Sequence, residues 1–158
     1  MRRKDRQVVE INEIIKIIDN CDVCRLAFFD CEYPYIVPLN FGFTAAADSL
    51  ALYFHGAGSG KKMSLIEKNP HVAFEMDSAH KLIKSEKPCS YTMEYESVMG
   101  YGKITQVNGE EKIKGLKVIM DKYDKKENYN FTEEAIADVA VLKLSVVKIT
   151  GKRLKLNC

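Results

Sequence analysis

The chain has 158 residues, a length that fits a single domain with a sizeable core. Its composition, 46% apolar and 29% charged with a net charge of +2, is typical of a soluble globular protein and gives no argument for nucleic-acid binding. No apolar run reaches the length of a membrane span, and the charged residues 1–6 lack the apolar segment that follows in a signal peptide. We therefore expect one cytoplasmic domain over residues 1–158, without nucleic-acid or membrane partners.

The first elements predicted are an amphipathic helix and two strands. The helix covers residues 7–20 and carries on one face Val8, Ile11, Ile14, Ile15 and Ile18. The strands cover residues 23–30 and 35–43, with a turn between them. Pro38 cannot donate to a strand ladder, so it predicts an edge, a bulge or a break in the second strand. A break would leave neighbouring backbone groups free to bond a ligand.

A glycine-rich loop then follows an apolar strand over residues 50–55. The strand delivers His55 to a loop with three glycines, after which Lys61 and Lys62 stand at the start of a short helix. Backbone N–H groups at a helix start and lysine charge favour an anion site, with phosphate as the expected ligand. The triphosphate P-loop is excluded, because three residues instead of four separate the outer glycines and no hydroxyl follows the lysine. The alternative is a glycine-rich hairpin with solvated lysines.

The second half of the chain reads as strand, polar loop, long strand, two helices and a closing strand. The strand is predicted over 71–76, the polar loop over 78–90 and the long strand over 91–107. A helix over 109–122, a short helix capped by Thr132, the closing strand over 139–149 and a final turn at 150–153 follow. Strands with hairpin-like links predict a mainly β protein with flanking helices, an antiparallel six-stranded barrel. A parallel sheet would need a helix after nearly every strand.

The cysteines number five, and an odd count predicts free thiols. Cys21 and Cys24 have the C-x-x-C spacing of a redox or zinc site, but neither a second such pair nor a His pair at ligand spacing accompanies them. Structural thiols are therefore the favoured interpretation, and no metal site is predicted.

Several segments occur together in a characteristic order and spacing. They are residues 1–6, 35–41, 52–55, 94–102 and 150–152, together with Lys61 six residues after His55. In combination they resemble the flavin-binding split-barrel family related to pyridoxamine 5'-phosphate oxidase, and within it the nitroimidazole-resistance (Nim) branch. The late segment departs from the family pattern, because Ile149 stands where Trp is usual.

The resemblance implies a homodimer with FMN, in some members FAD, at the subunit interface, and a small-molecule substrate. By position it implies that the isoalloxazine ring is contacted by Val37, Pro38, Leu39 and Asn40, and that Phe54 and His55 lie beside the flavin. It also implies that the phosphate is held by Ser59, Lys61 and Lys62, and that further flavin contacts come from Ser97, Val98 and Lys152. Of the lysines, Lys61 matches the basic position of the family best. His55 is the expected catalytic residue, as a proton donor beside the flavin.

Three functions are compatible with these residues. The first is a flavin-dependent oxidoreductase that reduces nitro groups, as the Nim resemblance implies. The second is a flavin- or haem-binding sensor or storage protein without turnover, in which His55 could be an axial haem ligand. The third is a barrel without cofactor that serves protein contacts.

Overall fold

The computed structural model describes residues 3–46, 49–124 and 129–155, and within them the chain forms one antiparallel sheet with flanking helices. The eight strands of this described part are β1 (Gln7–Val8), β2 (Cys24–Phe28), β3 (Tyr35–Leu39), β4 (Phe41–Ala46), β5 (Ser49–Ala57), β6 (His71–Ile83), β7 (Thr92–Val107) and β8 (Val139–Leu154). The α-helices are α1 (Ile11–Asn20), α2 (Lys61–Lys68), α3 (Gly109–Tyr123) and α4 (Glu133–Ile136), and short 3₁₀ turns cover Lys4–Arg6 and Pro88–Ser90.

The strand order makes the sheet a split barrel. It runs β3-β2-β6-β7-β8-β5-β4, with β1 paired to β8. The two ends of this order, β3 and β4, are consecutive in the chain and separated by Asn40 alone. Within the described ranges no hydrogen-bonded ladder joins β3 to β4. The chain connects these two strands through Asn40, but the barrel is open between them. The predicted mainly β, antiparallel fold is confirmed, with eight strands instead of six.

Two of the predicted elements are wrong because long-range pairing overrides local preference. The strand predicted over 35–43 is divided at Asn40 into β3 and β4, which lie at opposite ends of the sheet. The turn predicted over 150–153 is part of β8, where Gly151 pairs with Val98 of β7 and with Val8 of β1. Strand neighbours on both sides thus hold an extended conformation that the Thr-Gly-Lys sequence does not favour locally.

Other bounds shift for similar reasons. The first helix begins at Ile11 instead of residue 7, because Gln7 and Val8 pair with β8. The strand β5 continues to Ala57, two residues past His55, and β6 extends to Ile83 through part of the predicted loop. Thr132 caps α4 as predicted, accepting a hydrogen bond from the Ala135 backbone N–H. Part of the connection between the two predicted helices, residues 125–128, lies outside the described residues.

The core has two parts, one on each side of β5. Inside the barrel, α1 packs its buried isoleucines against strand residues such as Leu26, Leu52 and Phe54. Outside it, α3 packs Leu116 and Ile119 against Tyr53 and Val141. No helix within the described residues is both long enough and apolar enough to cross a bilayer.

One charged side chain, Glu96 on β7, is buried with 1% of its surface exposed. Its carboxylate accepts from Arg153 at 2.7 Å and lies 2.8 Å from the Lys155 ammonium, while Arg153 also donates to Glu13 of α1 at 3.0 Å. Burial alone would raise the pKa of Glu96, but the hydrogen bonds from Lys155 and Arg153 prevail and lower it. These contacts tie α1 to the end of β8.

Glu96→Gln is expected to destabilise the fold by about 1–3 kcal/mol near neutral pH, because two cations lose their buried carboxylate. A carboxyl whose folded pKa is depressed stabilises the fold above its unfolded pKa of about 4.3, and this stabilisation is lost as the pH falls through the folded pKa. Urea unfolding should therefore show a parent–variant difference that shrinks in acid. Glu67→Gln on the exposed side of α2 is the control, and a difference independent of pH would contradict this account.

Candidate functional site

The loop between β5 and α2 has the geometry of an anion site. Gly60 precedes the helix with a φ of 105°, a conformation that requires glycine. No side chain caps α2, so its first backbone N–H groups are open to another acceptor. The helix has eight residues, with its positive dipole end at the two lysines.

Lys61 is already engaged by other side chains of the same chain. Its ammonium lies 2.5 Å from the Asp30 carboxylate and 4.8 Å from the centre of the Tyr35 ring. The hydrogen bond to Asp30 raises the pKa of Lys61. This contact links the start of α2 to the turn between β2 and β3, and an anion would compete with Asp30 for the charge.

Lys62 is different, because it is half-buried and unpaired. Within the described ranges no carboxylate lies within ion-pair distance of its ammonium, and burial lowers the pKa of Lys62. The Nζ atom lies 2.7 Å from the point where a Cβ on Gly56 would sit, so glycine at that position makes room for the ammonium. A partly desolvated cation without a partner is unfavourable unless an anion joins it.

The segment predicted to contact the isoalloxazine ring lies on the edge strand β3 and at its end. Val37 and Leu39 pack against the barrel core, whereas Pro38 is exposed and pairs in register with Arg25. Pro38 thus lies on an edge strand, one of the places that its missing N–H predicted. Asn40 donates from its side-chain amide to the Asp22 carbonyl at 3.4 Å.

One backbone group at the break after β3, the Phe41 N–H, is engaged within the chain and is not free to bond a ligand. The Phe41 N–H donates to the Tyr123 hydroxyl at 3.1 Å, and that hydroxyl donates to the Asp22 carbonyl at 2.6 Å. Tyr123 is the last residue of α3, far away in sequence, so no local signal identified it.

His55 and Phe54 point to opposite sides of β5. Phe54 is fully buried in the barrel core, where its side chain has no access to a ligand outside. His55 is exposed and shares its strand face with Tyr53, on the side covered further along by α3. Ser59, in the loop, is exposed and lines a polar cleft of about 480 Å³ together with Gln106, Asn108 and Lys112.

The remaining predicted residues lie on β7 and β8, at a distance from β3. Ser97 and Lys152 are direct cross-strand neighbours and both are half-buried, whereas Val98 is fully buried in the core. Two strands, β2 and β6, separate β7 from β3, which at the usual strand spacing is about 14 Å. One copy of the chain therefore presents two separate groups of predicted contacts.

The sheet between these groups has an apolar outer face. Cross-strand pairing aligns Ile36, Ala27, Ala73 and Tyr101 in one row over β3, β2, β6 and β7. The large members of this surface are solvent-exposed, namely Ile36 (60%), Met99 (43%) and Tyr101 (50%). Beside it, the turn after β2 contributes Phe29 and Tyr33 to a mostly apolar cavity of about 290 Å³. We call the outward-facing residues of β3, β2, β6 and β7 the outer face.

The C-x-x-C pair lies away from these surfaces. Cys21 and Cys24 are free and fully buried, and burial raises the pKa of both thiols. Thiols of this kind pack in a core and are not reactive. The structure thus agrees with their interpretation as structural cysteines.

Comparison with known proteins gives one family and a consistent set of structures. The model of the family described as pyridoxamine 5'-phosphate oxidase matches residues 10–153. A solved structure of a candidate 5-nitroimidazole antibiotic resistance protein from Bacteroides thetaiotaomicron is 33% identical, with a TM-score of 0.80, over 92% of this chain and 85% of that one. A comparison with curated proteins gives no match.

Two more distant structures share the fold. The flavocytochrome Anf3 from Azotobacter vinelandii has a TM-score of 0.79 at 17% identity, covering 100% of this chain and 75% of its own. The FAD and heme binding protein from Mycobacterium smegmatis has a TM-score of 0.80 at 15% identity, covering 96% of this chain and 74% of its own. Because the family model spans nearly the whole described barrel, the chain belongs to the pyridoxamine 5'-phosphate oxidase-like family.

Proposed function

We propose that this protein binds a flavin, FMN or FAD, and is a cytoplasmic oxidoreductase that reduces nitro groups of small molecules. The observation that carries the cofactor proposal is the unpaired, half-buried Lys62 ammonium beside an uncapped helix start. A phosphate there would receive the lysine charge and the open N–H groups of α2 together. The donors present at this loop therefore fit the phosphate end of a flavin nucleotide.

Other residues of the chain would hold the rest of the cofactor. Ser59 offers a hydroxyl in the loop, and Pro38 and Asn40 stand at the open edge of the barrel. Phe54 and Val98 are buried in the core, so their neighbours on the same strands, His55 and Ser97, are the residues available for contact.

The distribution of these residues supports a homodimer. Ser97 on β7 is separated by two strands, and Lys152 on β8 by three, from the edge strand that carries Pro38, and an exposed apolar surface lies between the two groups. A second copy facing the outer face would cover this surface and bring its own Ser97 and Lys152 towards the loop of the first. Each flavin would then lie between two subunits.

The nitro-reducing activity is supported by the likeness to the Bacteroides thetaiotaomicron protein at 33% identity. A bound flavin would supply the electrons, and the protein would bind, orient and deliver protons. His55 is exposed on β5, two residues before the loop, so its imidazole is accessible to a small molecule from solvent.

Sedimentation of the purified protein, recorded both in the protein band and in the visible flavin band, tests the proposal. We expect a single dimer boundary at micromolar concentration that carries the flavin absorbance, since a composite site requires two subunits. The visible spectrum separates the alternatives, because a flavin gives two broad bands and a haem one sharp, intense band. A flavin-loaded monomer would contradict the homodimer, and a haem spectrum would contradict the cofactor.

A further inference from the structure

The hairpin of β6 and β7 extends past the rest of the sheet. Pairing of β6 with β2 ends at Glu75, and pairing of β7 with β8 ends at Tyr95. Beyond an irregularity between Ser78 and Lys81, residues 81–83 pair with residues 92–94 and, within the described chain, with no other strand. We call residues 81–94 the arm.

One side of the arm is apolar and uncovered. Leu82 and Met93 are direct cross-strand partners and are 51% and 42% exposed. Tyr91, 45% exposed, lies two residues before Met93 and so towards the same side. A two-stranded ribbon alone is marginally stable in water. Three large apolar side chains on one of its sides therefore indicate a surface that another part of a protein covers.

This apolar side is continuous with the outer face. Alternate residues of β7 from Met93 through Tyr95, Ser97 and Met99 to Tyr101 point to the same side of the strand. The extra residue at the irregularity between Ser78 and Lys81 is on β6, and the pairing of β7 with β8 has no register shift from Tyr95 to Tyr101. Whatever covers Met99 and Tyr101 thus also meets the root of the arm. In the homodimer proposed above, that cover is the second subunit.

Charge on the arm complements charge on the outer face. Lys84 and Lys87 are exposed near the tip, with one acidic residue, Glu86, between them. On the outer face a single arginine, Arg25, bridges Glu75 at 3.2 Å and Asp77 at 2.6 Å. Asp77 also lies 2.8 Å from Nε2 of His80, and burial and the neighbouring Asp77 raise the pKa of Glu75. One guanidinium thus faces two carboxylates.

We propose that the arm docks on the outer face of a second copy of the chain, with Leu82, Tyr91 and Met93 on its apolar part and the tip lysines beside its carboxylate pair. The inference rests on the proposed homodimer and names the segment that fastens it. Twofold symmetry would make the contact reciprocal, so that each subunit gives one arm and receives one.

The test compares the dimer dissociation constants of the purified parent and of Leu82→Ser/Met93→Ser by sedimentation over a dilution series. Because two apolar side chains lose their cover, we expect the dissociation constant to rise by at least about tenfold. The matched control is Val9→Ser/Ile11→Ser, which replaces two exposed apolar residues that lie outside the arm and should change the constant by less than about twofold. Thermal unfolding of each variant shows that the fold is intact.

A second variant, Lys84→Glu/Lys87→Glu, tests the charge contact at exposed positions where folding is not affected. Its dissociation constant should rise at low salt, and the effect should fade at high salt. Parent-like dimerisation of both arm variants would overturn the inference, as would a parent that is monomeric. If the parent is a flavin-loaded dimer and the arm variants dimerise as it does, only the proposed docking of the arm is overturned. If the parent is a flavin-free dimer and the arm variants weaken it, the docking of the arm is supported and the proposed cofactor is contradicted.

Discussion

Replacing Lys62 with alanine is expected to weaken FMN binding by about one to two orders of magnitude, because it removes a charge-assisted contact worth roughly 1.5–3 kcal/mol. Lys61→Ala should weaken it by no more than about fivefold, because an exposed ion pair contributes about 1 kcal/mol at most. The reason is that Lys61 is paired with Asp30, whereas the Lys62 ammonium is half-buried without a carboxylate in the described part of the chain.

Riboflavin provides the control, since it has the same ring system as FMN and no phosphate. Fluorescence-quenching titrations of the flavin-free protein should show that Lys62→Ala binds riboflavin as the parent does. Lys62→Arg keeps the positive charge and should retain much of the FMN affinity, although a guanidinium needs more space beside Gly56. A larger loss from Lys61→Ala than from Lys62→Ala would contradict this assignment.

The same contact gives the FMN affinity a pH dependence of known sign. Burial lowers the pKa of Lys62, so its charged form is lost at a lower pH than that of an ordinary lysine. Phosphate binding requires the charged form, and the FMN affinity should therefore decline on the alkaline side earlier in the parent than in Lys62→Arg, whose guanidinium stays protonated.

The ranking of the two lysines shows what the sequence alone could not provide. Both stand at the start of the same helix, and their local patterns are equivalent. What separates them is Asp30, some thirty residues earlier, which pairs with Lys61, and the space at Gly56 that receives Lys62. These are tertiary contacts, and no spacing rule along the chain expresses them.

Patterns with a local cause were predicted well. The Thr132 cap and the alternation along β7 each depend on neighbours within a few positions. The isoleucine stripe of α1 was predicted in part, because Ile14 and Ile18 are buried, whereas Ile11 is exposed and Ile17, which the prediction left out, is fully buried. The division at Asn40 and the strand at 150–153 depend on partners from distant strands. Strand alternation could have predicted that Phe54 is buried and that His55 faces the other side of β5, because Phe54 lies two residues after the buried Leu52 and so on the same side of the strand.

Replacing His55 is expected to lower the rate of nitro reduction while flavin remains bound. The imidazole is exposed two residues before the end of β5, and it is not on the side of β5 that faces Lys62. Nitro reduction consumes protons together with electrons, and general acid catalysis contributes about 10² to 10⁴ in rate. His55→Ala should thus keep the FMN affinity of the parent and lose most of its activity towards a nitroimidazole.

The design separates proton transfer from packing. His55→Gln keeps a hydrogen-bonding group of similar size that cannot titrate, and it should lose nearly as much activity as His55→Ala. Photoreducing the protein-bound flavin and following its reoxidation by a nitroimidazole measures this step without a physiological electron donor. The parent rate should depend on pH, and the Gln variant should not follow that dependence. Reoxidation of the Gln variant at the parent rate would instead mean that His55 is a packing residue and that the protons come from water.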